Sequence, residues 1–369
     1  MIRLAEVIDT FRAEFLARYG ARLTADHHRA LAALGHCRSQ GSPVMQLHCA
    51  QCDHQKFVPH SCGHRLCPHC QHHESQQWLA RQMGKRVPAA YFLLTFTLPA
   101  ELRPLARAQP RIVFDLLIGC SWQTVATFSR NDKQLQGTPG AIAVLHTHSR
   151  RLDYHPHVHL VVPAAAVDAE RRRWRCKRGA KSGRPYLFNG KALAKVFRAK
   201  MLAALAAAGL ALPTRHPPAW VAHCKAVGSG DKALIYLGRY LYRGVIREAD
   251  LLACGDGRVT FRYRAAATGK MERRTLAGAD FLWLILQHTL PKGFRRARNF
   301  GFLHPNAKPL IALLQVMLKF DPGPAPSTER PPVPCPCCGA AMVIMKTRIR
   351  PTGRRACDPP IAPGDALTM

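Results

Sequence analysis

The chain has 369 residues, with 54 Lys and Arg against 22 Asp and Glu, a formal charge of +32 at a sequence pI of 10.4. Two or three domains fit that length, and no apolar run approaches the ~20 residues of a bilayer-spanning helix, which excludes a membrane-spanning protein. So large a positive excess calls for a polyanionic partner, and nucleic acid, with one charge per ~1.7 Å of duplex axis, rewards it best.

At the N-terminus Leu4, Val7, Ile8, Phe11, Phe15 and Leu16 recur at three- and four-residue steps, which predicts helix to about residue 36. Acids interrupt these apolar residues, so the segment is not a secretory signal, and the expected setting is a reducing cytoplasm. The stretch from Cys37 to His73 is rich in Cys and His and short of apolar residues. Its two knuckles, Cys49-x2-Cys52 and Cys67-x2-Cys70, could supply four thiolates to a structural zinc. Cys37, His60, Cys62 and His64 are placed to substitute for these or to form a second site. Such a segment has no core of its own, so metal binding would drive its folding, with on the order of 10–16 kcal/mol available.

A helix from about Glu74 to Arg86 is followed by the buried strand Tyr91–Leu98, which stops at Pro99. A long helical region from about Glu101 to Phe128 comes next, then a turn at Gly137–Gly140 and strands at Ala141–Thr147 and His155–Val162. Arg171 to Arg178 reads as an exposed basic hairpin or loop. A helix covers about Leu193 to Ala208, and Gly209 is placed to end it. Beyond it lie a strand at Ala219–Ala226, a helix from about Lys232, a hairpin near Val259–Arg264 and a helix around Phe281–Thr289. Residues 321–334 form a Pro-rich linker. The tail holds a CPCC at Cys335–Cys338, a weak knuckle because only Cys357 follows it.

Two constellations carry chemistry. In His155-Pro-His157-Val-His159 the period of two places His157 and His159 on one strand face. Two imidazoles there are part of a metal site, and a third ligand must come from a neighbouring strand, with His146 the obvious candidate. In Tyr236-Leu-Gly-Arg-Tyr240-Leu-Tyr242-Arg243 the first two tyrosines lie about 40° apart on one helix face, joined by Arg243. Arg178-Gly-Ala-Lys-Ser182 does not satisfy the phosphate-loop pattern, so no nucleoside triphosphate is expected.

In combination, HSCGHRLCPHCQ (60–71), YFLLTFTLP (91–99), LHTHSRRLDYHPHVHLVVP (145–163), YLGRYLYRGVI (236–246) and LPKGFRRARNFGFLHP (290–305) resemble the rolling-circle insertion-sequence transposases of the insertion sequence 91 type, two-tyrosine HUH endonucleases. The resemblance implies an α+β fold: an N-terminal helical, zinc-ribbon-like domain (1–88), an HUH nuclease domain with a central antiparallel sheet flanked by helices (89–304), and a C-terminal helix, linker and tail (305–369). It implies tyrosine nucleophiles at Tyr236 and Tyr240, with Arg243 assisting, and a catalytic Mg²⁺ or Mn²⁺ on His157, His159 and His146. Structural Zn²⁺ is also implied, with single-stranded transposon ends and target DNA as partners. Arg171, Arg172, Arg173, Trp174, Arg175, Arg295, Arg296 and Arg298 are the candidate DNA contacts. His148 stands where the family usually has an aromatic residue. Two other readings compete: a metal-dependent hydrolase with Asp153 as base, and a zinc-ribbon DNA-binding protein without catalysis.

Overall fold

The computed structural model describes residues 1–170, 173–178, 185–242, 244–324 and 329–350. The fold is α+β, and it divides into two units that interleave along the chain. One comprises Met1–Glu74, Tyr242–Thr289 and Thr328–Met369, the other Ser75–Leu241 and Leu290–Ser327. Neither unit is a single run of the chain. Non-local strand pairing is the reason: Ala341–Ile349, near the C-terminus, runs antiparallel to Val44–His48 near the N-terminus.

In the first unit, helix Leu4–Tyr19 buries Leu4, Val7, Ile8, Phe11 and Phe15, the face that the periodicity marks. It packs on helix Gly278–Leu286, where Tyr19 stacks on Trp283 at 5.2 Å and donates its hydroxyl proton to Asp280 (2.6 Å). The buried Glu248 accepts from the backbone N–H of Leu4 (2.8 Å) and pairs with His69 (2.7 Å). A carboxylate at a helix N-terminus complements its exposed N–H groups, and this one ties two of the unit's three stretches together. Two antiparallel sheets complete it. One has four strands, in the order Val333–Pro334, Ala341–Ile349, Val44–His48, Gln55–Pro59; the other has three, Leu251–Gly255, Arg258–Arg264 and Met271–Ala277.

The second unit is built on a seven-stranded antiparallel sheet. Its order is Arg173–Cys176, Ala165–Asp168, Thr138–His148, Tyr154–Pro163, Tyr91–Thr97, Ala222–Ala226, with Ala297–Gly301 also paired to Thr138–His148. Helices Pro110–Asn131 and Gly190–Ala207 pack together on the sheet. Phe92, Leu94, Phe96, Ala141, Ala143, Leu145, Val158, Leu160 and Val162 join their apolar side chains in one core. Strict alternation along the strands then sends Thr95, Val144, His146, His157 and His159 to the opposite face. Among the described residues, Pro110–Asn131 is long and apolar enough to cross a membrane, where the sequence reading finds no such stretch. Its Val113, Phe114, Leu117, Ile118 and Val125 are instead buried in the core.

Two local departures have steric causes. The long helix expected from Glu101 is broken at Gln109, because Pro110 cannot donate to the preceding turn. The expected turn at Gly137–Gly140 is strand from Thr138 onward, and Gly140 serves close packing, since a Cβ there would lie 2.6 Å from Leu303. Gly301 is tighter still: its φ is +58°, and a Cβ would sit 1.7 Å from the Pro139 carbonyl oxygen. Gly301→Ala is expected to cost about 2–4 kcal/mol through left-handed strain and overpacking, measured as a lower urea midpoint at unchanged m-value.

Candidate active site and metal centres

The histidine strand Tyr154–Pro163 lies between Thr138–His148 and Tyr91–Thr97, with His157 directly opposite His146 and His159 opposite Thr95. Register and face parity therefore bring three imidazoles together. Ring centroids are 5.1 Å apart for His146 and His157, 4.5 Å for His146 and His159, and 4.9 Å for His157 and His159. One ligand atom from each lies within 4.8 Å of the others, and the group contains no carboxylate.

Each ring is held in a ligating orientation. His157 Nδ1 donates to the His155 carbonyl (2.7 Å), and His159 Nδ1 bonds Thr95 Oγ1 (2.8 Å), which leaves both Nε2 atoms free to face the centre. Fixing one ring nitrogen in this way sets which nitrogen ligates and raises its basicity. His146 Nε2 is buried with no hydrogen-bond partner, an arrangement that costs free energy unless something binds there. Burial pushes His157 down to about 3 and His159 down to about 4, and holds His146 well below the ordinary histidine value. All three rings are thus neutral at physiological pH, the state a metal requires. Three imidazoles with no thiolate suit a borderline divalent cation that takes its remaining ligands from oxygen. His155 stays apart, with its Nδ1 accepting from Arg103 (2.9 Å).

The tyrosine helix, Asp231–Tyr242, buries Leu234, Leu237, Gly238 and Leu241, and helix His72–Met83 meets it through Trp78, 3.3 Å from where a Gly238 Cβ would lie. Tyr240 is half-buried, flat on His146 (3.2 Å, 6°) and stacked on His148 (4.7 Å). Its hydroxyl accepts from the His148 backbone N–H (3.5 Å), and burial pushes the phenol well above its usual value against the pull of that bond and of Arg296. Tyr236 is 49% exposed, with its ring 6.1 Å from both His146 and His159. Its phenol is raised by burial, opposed by Arg150. Arg243 lies outside the described residues.

Sequence reasoning missed Thr95 as the partner of His159 and the place of Arg296 beside the site. Arg296, a candidate DNA contact, lies beside the site: its carbonyl accepts from Leu145 N–H (2.8 Å), and its charge adds to burial in lowering His146 and His148 and opposes burial at the Tyr240 phenol. The Thr breaking the apolar run YFLLTFT was the available signal for the first; nothing local marked the second. The other basic candidates divide. Arg173 and Arg295 are exposed, whereas Arg175 faces the buried Asp168 (3.7 Å) and Arg298 pairs with Asp115. Trp174 packs edge-on against Phe302 (5.4 Å) rather than standing open for a base. Arg171 and Arg172 fall outside the described residues.

The thiols form two groups, neither of them the expected Cys49, Cys52, Cys67 and Cys70. Cys67 and Cys70 join Cys37 and Cys62, while Cys49 and Cys52 join Cys335 and Cys338. Cys37 Sγ lies 3.4 Å from Cys67 and 3.5 Å from Cys70, close to the ~3.8 Å edge of a tetrahedron with 2.3 Å zinc–sulfur bonds. Hydrogen bonding to Cys37 holds Cys70 well below and Cys67 well above the usual thiol value. His60 belongs to neither group and bonds the Ser61 carbonyl (2.8 Å).

The chain is similar to known proteins. Residues 140–309 match a family model described as "Putative transposase", and residues 7–98 match "Transposase zinc-binding domain". The chain is 30% identical over 329 residues to "Putative transposase y4qJ" of Sinorhizobium fredii, covering 81% of this chain and 80% of that one. It is 30% identical over 325 residues to the transposase for insertion sequence element IS801 of Pseudomonas savastanoi pv. phaseolicola, covering 79% and 76%. Two structures of the conjugative relaxase TrwC with OriT DNA align at 13% and 15% identity, each over 63% of this chain and over 73% and 75% of theirs, both at a TM-score of 0.27. With matches to a transposase zinc-binding domain and a transposase core, and with relatives of that kind aligned over most of their length, the chain belongs to the transposases of the insertion sequence 91 type.

Proposed function

We propose that this transposase cuts and rejoins one strand of transposon-end DNA through a covalent tyrosine ester. The phenolic oxygen of Tyr236 attacks the scissile phosphorus, the bond from phosphorus to the 3′ oxygen breaks, and the 5′-phosphate remains on the tyrosine. The phenolic proton is released as the new bond forms, and the departing 3′ oxygen takes one up. A 3′-hydroxyl then attacks the ester, giving a new phosphodiester and returning the tyrosine. The bond energy is kept in the protein–DNA linkage, so no nucleotide is hydrolysed.

The observation that carries this reading is that a half-exposed tyrosine stands 6.1 Å, ring to ring, from two members of a cluster of three imidazoles assembled from two strands. A divalent cation on His146, His157 and His159, Mg²⁺ or Mn²⁺ as the resemblance implies, would neutralise the scissile phosphate and the charge that develops on it. Thr95 and the His155 carbonyl hold the two strand imidazoles in place, and Tyr240 supplies a second phenol one helical turn away, which suits a reaction that cuts twice. Arg296 adds positive charge behind Tyr240. A hydrolase would instead want a carboxylate as general base, and the histidine group has none.

The test is incubation of the purified protein with Mn²⁺ and a single-stranded oligonucleotide carrying a transposon end. A DNA–protein adduct that survives denaturing electrophoresis is expected, and it should be absent with EDTA. A protein that retains the oligonucleotide on a native gel but never forms the adduct would be a DNA-binding module, and the catalytic proposal would fail.

A further inference from the structure

The four-stranded sheet of the first unit consists of two hairpins side by side, each bearing a Cys-x-x-Cys turn at its tip. In the first, Cys49 N–H donates to the His54 carbonyl (2.9 Å) and Asp53 N–H to the Cys49 carbonyl (2.9 Å), with Asp53 at φ +57°. In the second, Cys335 N–H donates to the Ala340 carbonyl (2.8 Å) and Gly339 N–H to the Cys335 carbonyl (2.9 Å), with Gly339 at φ +74°. The backbone pattern is the same residue for residue. The hairpins meet through the ladder between Val44–His48 and Ala341–Ile349.

That ladder brings the two turns together. Cys49 Sγ lies 3.5 Å from Cys338 Sγ, and Cys52 Sγ 3.5 Å from Cys335 Sγ; all four fall within 4.8 Å of one another. A disulfide would need ~2.0 Å, whereas a zinc tetrahedron has edges of ~3.8 Å. Cys337, between the ligands of the second turn, is exposed and outside the group. The sheet has little else to hold it: its buried cluster is Leu47, Cys49, Val58, Cys335 and Met342, and two of those five are the candidate ligands. A core of that size needs a staple.

We infer that Cys49, Cys52, Cys335 and Cys338 bind a zinc ion of their own, separate from any ion on Cys37, Cys62, Cys67 and Cys70, and that this ion clamps the C-terminal tail into the N-terminal zinc-binding unit. The matched zinc-binding domain ends at residue 98 and does not include the tail ligands. The tail is thus half of a metal site rather than an appendage beyond a linker.

The experiment counts thiolate-bound zinc in the full chain, released by a mercurial reagent and read with a chromogenic chelator. Two equivalents are expected from the natural protein, and one from Cys335→Ser/Cys338→Ser or from Cys49→Ser/Cys52→Ser. Combining all four changes should still leave one equivalent, because both pairs serve the same ion. Cys337→Ser should leave two. The inference is overturned if the tail variant keeps two equivalents, or if the combined variant falls to none. A measurement on the natural chain needs no variant to fold: after Co²⁺ substitution, the sulfur-to-cobalt absorption per chain should match eight cobalt–thiolate bonds, and an intensity for four would overturn the inference.

Discussion

Tyr236→Phe is expected to lower the yield of the first covalent DNA adduct by on the order of 10³-fold or more, as loss of a nucleophile does, whereas Tyr240→Phe should leave that adduct within about threefold and block the second transfer. The two phenols are chemically alike but differently placed. Tyr236 is half-exposed, so an incoming strand can reach it without rearrangement. Tyr240 is half-buried and stacked on both His146 and His148, with its oxygen at the His148 backbone N–H. Two ring stacks at ~0.5–1.5 kcal/mol each must be broken before it meets a phosphate, so it reacts roughly tenfold or more slowly until the site opens. Single-turnover assays with a labelled transposon end distinguish the two roles. Adduct formation by Tyr236→Phe at the natural rate, with none from Tyr240→Phe, would reverse the order of use.

What was legible in the sequence depended on how local the signal is. The HPHVH run shows its pairing of His157 and His159 through the period of two, and the buried strand Tyr91–Thr97 shows itself by its aromatic and β-branched content. His146 could be nominated as a neighbour, but its position opposite His157 is a matter of register, which a single strand does not encode. The place of Arg296 beside the site was not legible, because it comes from the pairing of Ala297–Gly301 with Thr138–His148, a contact between segments about 150 residues apart. The thiol grouping went wrong for the same reason. Two knuckles about fifteen residues apart look like one site, and a CPCC with only Cys357 beyond it looks like none. Strand pairing across almost the whole chain exchanges the partners. Chain order likewise hides that one compact unit is assembled from three separate stretches.

His157→Ala is expected to reduce strand cutting by 10³-fold or more, since the charge stabilisation a metal supplies is worth several kcal/mol, and to weaken Mn²⁺ binding at least 100-fold in calorimetric titration. Thr95→Val, which touches no ligand atom but removes the bond to His159 Nδ1, should weaken binding about 10–100-fold with the fold intact. Their pH dependence follows from burial. With His157 held at about 3, His159 at about 4 and His146 well below the ordinary value, protons do not compete for these rings until the medium is strongly acidic. Mn²⁺ affinity at this site should therefore stay nearly flat from pH 8 to about 5, where three solvent-exposed histidines would each lose tenfold per unit below ~6.5. Stability of the metal-free protein moves the other way. Below pH ~6.5 the unfolded chain takes up protons that the folded site refuses, so each such histidine withdraws ~1.4 kcal/mol per pH unit as the medium approaches its folded value, and its contribution is complete only above pH ~6.5. Metal-free His157→Ala should accordingly lose less stability between pH 6.5 and 4 than the natural chain does. An affinity for Mn²⁺ that survives His157→Ala, or that collapses near pH 6.5 in the natural protein, would place the cation somewhere other than these three rings.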